Sequence, residues 1–169
     1  MNAEGCTECG FDGSAWSDAK ALEQVALLPE LWAQAIGGIT PSDLNRRSIG
    51  GMWSIGEYTD HVRETIFGMR FVLDMALQEP GVNLGEPPEP RFDPEPRQVD
   101  IERALADFSS EVQALVAALT AAADRWGSTA IVGGNEVDIH WVVRHALHDV
   151  THHLGDVRRL SDALSETRG

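Results

Sequence analysis

Residues 145–157 read HALHDVTHHLGDV and hold four of the chain's six histidines together with two aspartates. Imidazole nitrogens and carboxylate oxygens are the donor set that zinc and nickel take. Side chains four residues apart lie on one side of a helix. The segment therefore offers two offset pairs, His148/His152 and Asp149/His153, which face different ways. At most one of them is expected to share a metal with the rest of the protein.

Helical arithmetic separates the pairs. At about 100° per residue, Val143, Ala146, Leu147, Val150, Leu154 and Val157 gather into one apolar stripe. Asp149 and His153 flank that stripe, whereas His148 and His152 fall on the opposite face with His145 and Trp141. An earlier segment repeats the pattern. Ile55, Tyr58, Val62, Ile66 and Met69 form its stripe, and His61 lies on the flank. The expected ligand set is thus His61, Asp149 and His153, holding one divalent ion, zinc or nickel. Three protein ligands leave positions open for water or substrate, whereas a structural site is closed by a fourth. Hydrogen-bonded core neighbours would give the same periodicity, and a register shifted to His148/His152 is the alternative.

The outer set, His145, His148, His152 and Trp141, reads as a solvated or subunit-contact face. A monomer would leave that aromatic exposed, so a homodimer is expected. Cys6 and Cys9 form a single C-x-x-C. A zinc site needs four ligands and usually a second such pair, so these read as reduced thiols in a mobile N-terminal segment, residues 1–16.

Four helices must carry these residues. The first runs from Ser17 or Asp18 to Ile36, with Pro29 inside it as a kink or as a first-turn residue of its second half. GGITPSDLNRRSIGG is loop. A second helix starts after Trp53, where Ser54 and Glu57 make a capping-box pattern. Glu57, four residues before His61, reads as part of the cap rather than as a partner of the imidazole. EPGVNLGEPPEPRFDPEPR, residues 79–97, carries six prolines and is expected as an extended crossover. The third helix spans about Val99 to Ala123 with a seam of Ile101, Leu105, Phe108, Val112, Leu115 and Leu119. GSTAIVGGNEVD reads as a small glycine-turn hairpin. Asp138 then caps a fourth helix reaching Leu164. The expected architecture over residues 17–169 is an all-α, up-down four-helix bundle with one long proline-rich crossover.

Charge narrows the partners. Twenty-seven acidic and 13 basic residues give a net charge of −14. That field repels phosphate backbones and anionic membranes, so no nucleic-acid or membrane partner is expected. The polar, acidic N-terminus does not resemble a signal peptide, and no run of apolar residues is long enough to span a bilayer; a cytoplasmic protein is expected.

Two segments together, WSIGEYTDHVRE (53–64) and HALHDVTHHLGDVRRL (145–160), resemble the signature of the DinB/YfiT-like superfamily of metal-binding four-helix bundles. The family pattern sets a tryptophan, then Ser or Thr, then a helix-borne histidine eight residues after the tryptophan, as Trp53, Ser54 and His61 are spaced here. Its second part sets a ligand four residues before the last histidine of an H-H pair, which falls on Asp149 and His153. Many members carry histidine where Asp149 stands; the carboxylate resembles the isomerase branch. The N-terminal CTECGFDG looks most like an actinobacterial branch. The resemblance implies a low-molecular-weight thiol cofactor such as mycothiol, whose thiolate attacks a small electrophilic substrate, as in the S-transferases and the maleylpyruvate isomerase of the family. A metal-dependent hydrolase and a non-catalytic metal-binding or dimerisation module share the same ligands.

Overall fold

The computed structural model describes residues 5–88, 92–93 and 95–166, so part of the expected crossover, at 89–91 and 94, lies outside the described residues. The elements are α1 (Asp18–Ile36), a one-turn α2 (Pro41–Leu44), α3 (Ile55–Gln78), β1 (Val82–Asn83), α4 (Ile101–Ala121), β2 (Thr129–Val132), β3 (Asn135–Asp138) and α5 (Ile139–Glu166).

Each long helix starts at a side chain that satisfies its free N–H groups. Ser17 accepts from Lys20 N–H before α1, and Asp100 from Arg103 N–H before α4. Asp138 Oδ1 accepts from Trp141 N–H at 2.8 Å before α5. Ser54 and Glu57 form the complete reciprocal capping box of α3. Pro29 lies within α1, which continues through it.

The apolar stripes meet in one core. Val25, Leu28 and Trp32 of α1, Val62, Ile66 and Leu73 of α3, Phe108, Leu115 and Leu119 of α4, and Val143, Leu147, Val150 and Leu160 of α5 are all buried in it. Trp32 reaches across to donate its indole N–H to Thr59 Oγ1 at 3.0 Å, so the largest buried side chain is also polar-satisfied. Around the bundle, α1 packs on α4 and α5, and α3 packs on α4 and α5. Sequence neighbours α1 and α3 therefore sit across the diagonal, as do α4 and α5. This differs from a simple up-down order. The connectors at 37–54 and 122–138 are long enough to cross an end of the bundle.

The chain is mostly helical but not purely so. β2 and β3 form the expected hairpin, turning at Gly133 and Gly134, whose φ values of 56° and 74° suit the left-handed turn that only glycine takes readily. β1 adds to β2 in parallel, Val82 opposite Ala130, giving a three-stranded sheet in the order β1-β2-β3. Two residues carry no readable alternation, so nothing in the sequence marked β1. Beyond it the crossover is pinned by polar contacts. Asn45 bridges it, accepting from Val99 N–H at 2.8 Å and donating to Val99 C=O at 3.0 Å.

Candidate metal centre

α3 and α5 pack side by side, and this brings His61 against Asp149 and His153. The three offer ligand atoms all within 4.8 Å of one another. His61 Nε2 lies 3.6 Å from Asp149 Oδ2, and His153 Nε2 lies 3.9 Å from Asp149 Oδ1. Donors on a tetrahedral ion with bonds near 2.1 Å sit about 3.4 Å apart, so these gaps suit three ligands around one cation rather than direct hydrogen bonds. Asp149 Oδ2 is buried and has no hydrogen-bond partner among the described residues. A buried carboxylate oxygen left so is costly unless a cation meets it. The residues present fit a divalent metal.

The imidazoles are prepared for that role. Burial first, with the neighbouring His153 and Arg97 charges, lowers the His61 pKa against the opposing pull of Asp149. Its neutral, ligating form is thereby favoured. His153 Nδ1 is 2.8 Å from Asp156 Oδ2, which leaves Nε2 for the cluster. Asp156 is buried and also receives Arg159. Tyr58 lies near Asp156 as well, and burial, followed by the Asp156 charge, pushes its phenol up to about 12. Trp53 walls the cluster, its ring centroid 5.1 Å from that of His61 and 6.4 Å from that of His153.

Asp156 escaped the sequence reading. The signal was present: an aspartate three residues after His153 reaches the same imidazole on a helix. Glu57 is the cap, as expected, and more. It also receives Arg47 through Nε at 2.8 Å and Nη2 at 2.5 Å, and the Arg97 N–H at 3.1 Å. Burial alone would raise its carboxyl, but Arg47 and the Ser54 and Arg97 N–H groups hold it at about 2.

The outer face of α5, expected as a solvated or subunit-contact face, is covered in part by the chain itself. His148 and His152 are half-buried, because the N-terminal segment lies on them. Phe11 stacks on the His148 ring with centroids 4.8 Å apart, and Cys6 Sγ is 3.7 Å from His152 Nδ1. Arg144 clamps the segment, donating to Gly13 C=O at 3.1 Å, Trp16 C=O at 3.0 Å and Asp18 Oδ1 at 2.8 Å. Trp141 is half-buried and stacked on His145, centroids 4.4 Å apart. Cys6 and Cys9 are free thiols in this docked segment. The Cys9 backbone N–H, then His148 and the Glu8 N–H, draw the Cys6 thiol down to about 6, while burial raises that of Cys9.

The recess lined by Asp60, Arg63, Arg97, Arg103 and Asp107 includes none of the three clustered ligands. Arg63 is paired with Asp60 at 2.7 Å there.

A helical bundle with two histidines and an aspartate gathered between adjacent helices defines a class, and the comparisons name it. The family model of the DinB superfamily matches residues 24–157, most of the chain; the protein belongs to that superfamily. A solved structure, YfiT from Bacillus subtilis, is described as a probable metal-dependent hydrolase with an unusual four-helix bundle topology. It is similar with a TM-score of 0.73 and 14% identity over 89% of this chain and 90% of that one. At that identity the likeness establishes the fold. No curated protein matches.

Proposed function

We propose that His61, Asp149 and His153 hold one divalent metal, zinc or nickel, and that the centre activates a nucleophile against a small electrophilic substrate. The observation that carries this reading is the buried Asp149 carboxylate, whose hydrogen-bond-free Oδ2 faces His61 Nε2 while its Oδ1 faces His153 Nε2. Bound by three protein ligands, such an ion supplies Lewis acidity that brings a water or thiol toward deprotonation near neutral pH. The chain's own residues do the rest. Asp156 fixes the His153 ring so that Nε2 points inward. Trp53 and Tyr58 exclude water from one side. The Glu57–Arg47 pair holds the first turn of α3, and with it the approach of His61.

The nucleophile is a low-molecular-weight thiol such as mycothiol, making the protein a thiol-dependent S-transferase or isomerase; this rests on the signature in residues 53–64 and 145–160. A second reading, hydrolysis, is favoured by the description of the structurally similar YfiT. Turnover of electrophiles by metal-loaded protein, with and without mycothiol, bacillithiol or glutathione, separates them. Thiol-dependent turnover absent from Asp149→Ala supports transfer, and thiol-independent ester or amide cleavage with the same dependence supports hydrolysis. Metal-loaded protein inert in both assays points to a binding module.

We also propose a homodimer in the cytoplasm. Trp141 is already covered in part by His145, and Phe67 and Phe71, about half exposed and four residues apart on α3, offer an aromatic surface to a second copy. Sedimentation of the wild type as a monomer overturns the dimer; conversion of a dimer to monomer by Phe71→Glu supports that face.

A further inference from the structure

The donor set that α5 turns away from the bundle is as complete as the one it turns inward. Cys6, Cys9, His148 and His152 bring two thiol sulfurs and two imidazole nitrogens within 4.8 Å of one another. Their order in the chain is C-x2-C followed by H-x3-H, the spacing of closed zinc sites with two cysteine and two histidine ligands. The second ligand pair that a lone C-x-x-C lacks comes from 139 residues further along, on a helix. Sequence spacing alone gave no reason to join them.

The surroundings are those of a built site. The N-terminal hairpin closes by Cys6 N–H to Phe11 C=O and Gly10 N–H to Cys6 C=O, each 2.9 Å. Gly10 takes a φ of 75°, the left-handed conformation through which the chain returns so that Phe11 C=O meets Cys6 N–H. The Phe11 stack orients the His148 ring. His152 turns Nδ1 toward Cys6 Sγ, and its Nε2 lies 3.7 Å from Glu8 Oε2, a carboxylate placed behind a ligating ring. The Arg144 clamp brings the segment to the helix without any metal.

We infer that Cys6, Cys9, His148 and His152 form a second, structural zinc site that fastens the N-terminal hairpin to the outer face of α5. Its chemistry contrasts with that of the inner centre. Four protein ligands close the coordination shell, and two thiolates balance the charge of the ion, so the outer site holds the fold and offers no position to substrate. Binding releases the thiol protons. His152 and His153 are adjacent residues assigned to different ions, and one turn of α5 serves both.

The test uses the full-length protein with any metal-chelating tag removed. Elemental analysis is expected to find two ions per chain, one in the Cys6→Ser/Cys9→Ser variant and one in Asp149→Ala. Cobalt loading of the wild type is expected to give an intense near-ultraviolet thiolate-to-cobalt band. Asp149→Ala keeps that band and the double serine variant loses it. The thiols should resist a disulfide reagent until a chelator is added. A single ion lost with the cysteines but kept in Asp149→Ala also supports the outer site, and then overturns the inner one. A wild type whose cobalt form lacks the thiolate band, and whose thiols react at once in zinc, overturns the outer site. The cobalt band and the thiol reactivity of the wild type do not depend on the folding of any variant.

Discussion

His153 Nδ1 and the buried Asp156 Oδ2 meet at 2.8 Å, and that bond leaves Nε2 as the ring nitrogen turned toward Asp149. Asp156→Asn should keep the helix but weaken ring orientation and basicity. Loss of such a partner lowers metal affinity about 10- to 100-fold. Competition against a chromophoric chelator measures it, and an unchanged affinity would show that Asp156 only neutralises Arg159.

The two ligand sets on α5 should separate under mutation. His61→Ala, Asp149→Ala and His153→Ala each remove one of the three proposed inner ligands, and each should cost at least about tenfold in affinity at that centre. His148→Ala and His152→Ala should leave it loaded. Zinc titrations of the five variants in the Cys6→Ser/Cys9→Ser background report on the inner centre alone. Loss with His148→Ala but not with Asp149→Ala would place the register one residue away.

Glu57 sets an acid limit on stability. Its carboxyl falls from 4.5 to about 2 in the folded protein. A depressed folded value means the contribution is complete above the unfolded value and is lost as pH falls from about 4.5 toward 2. The shift corresponds to about 3 kcal/mol. Urea unfolding of chelator-treated wild type and Glu57→Gln should show a clear gap at pH 7 that narrows by more than half at pH 3. A gap independent of pH would assign the loss to packing.

Gly56→Ala should destabilise despite raising helix propensity. A Cβ there would lie 2.8 Å from Asn45 Oδ1 and 3.0 Å from Ile101 Cδ1. Propensity returns about 1 kcal/mol, while overpacking costs about 1–3 kcal/mol and pushes Asn45 off Val99. A lower thermal midpoint in Gly56→Ala that is absent in Gly68→Ala, where a Cβ meets open space, checks it. Equal midpoints would mean that Asn45 moves freely.

Periodicity made the helices legible, because a buried stripe must recur with the turn of the helix. His61, Asp149 and His153 were readable as stripe-flanking residues, and the fold brings those three together. What escaped depends on contacts distant in sequence. Docking of Cys6 and Phe11 on α5 follows from Arg144 bonding to three acceptors in residues 13–18, which no local pattern encodes. β1 exists only because Ala130 offers it a partner. Glu57 looked like an ordinary cap because its partner Arg47 lies in a loop without periodicity.

The sheet also acts as a ruler between α3 and α5. β1 begins four residues after α3 ends, and β3 runs straight into α5, so hydrogen bonds between strands fix how far one ligand-bearing helix can slide along the other. One residue of helix advances about 1.5 Å, whereas metal–ligand distances tolerate about 0.2 Å. Lengthening the link at 79–81 by one residue would therefore detune His61 against Asp149 from far outside the centre. Lengthening the Gly133–Gly134 turn, which lies beyond the ruler, would leave the spacing between those helices unchanged.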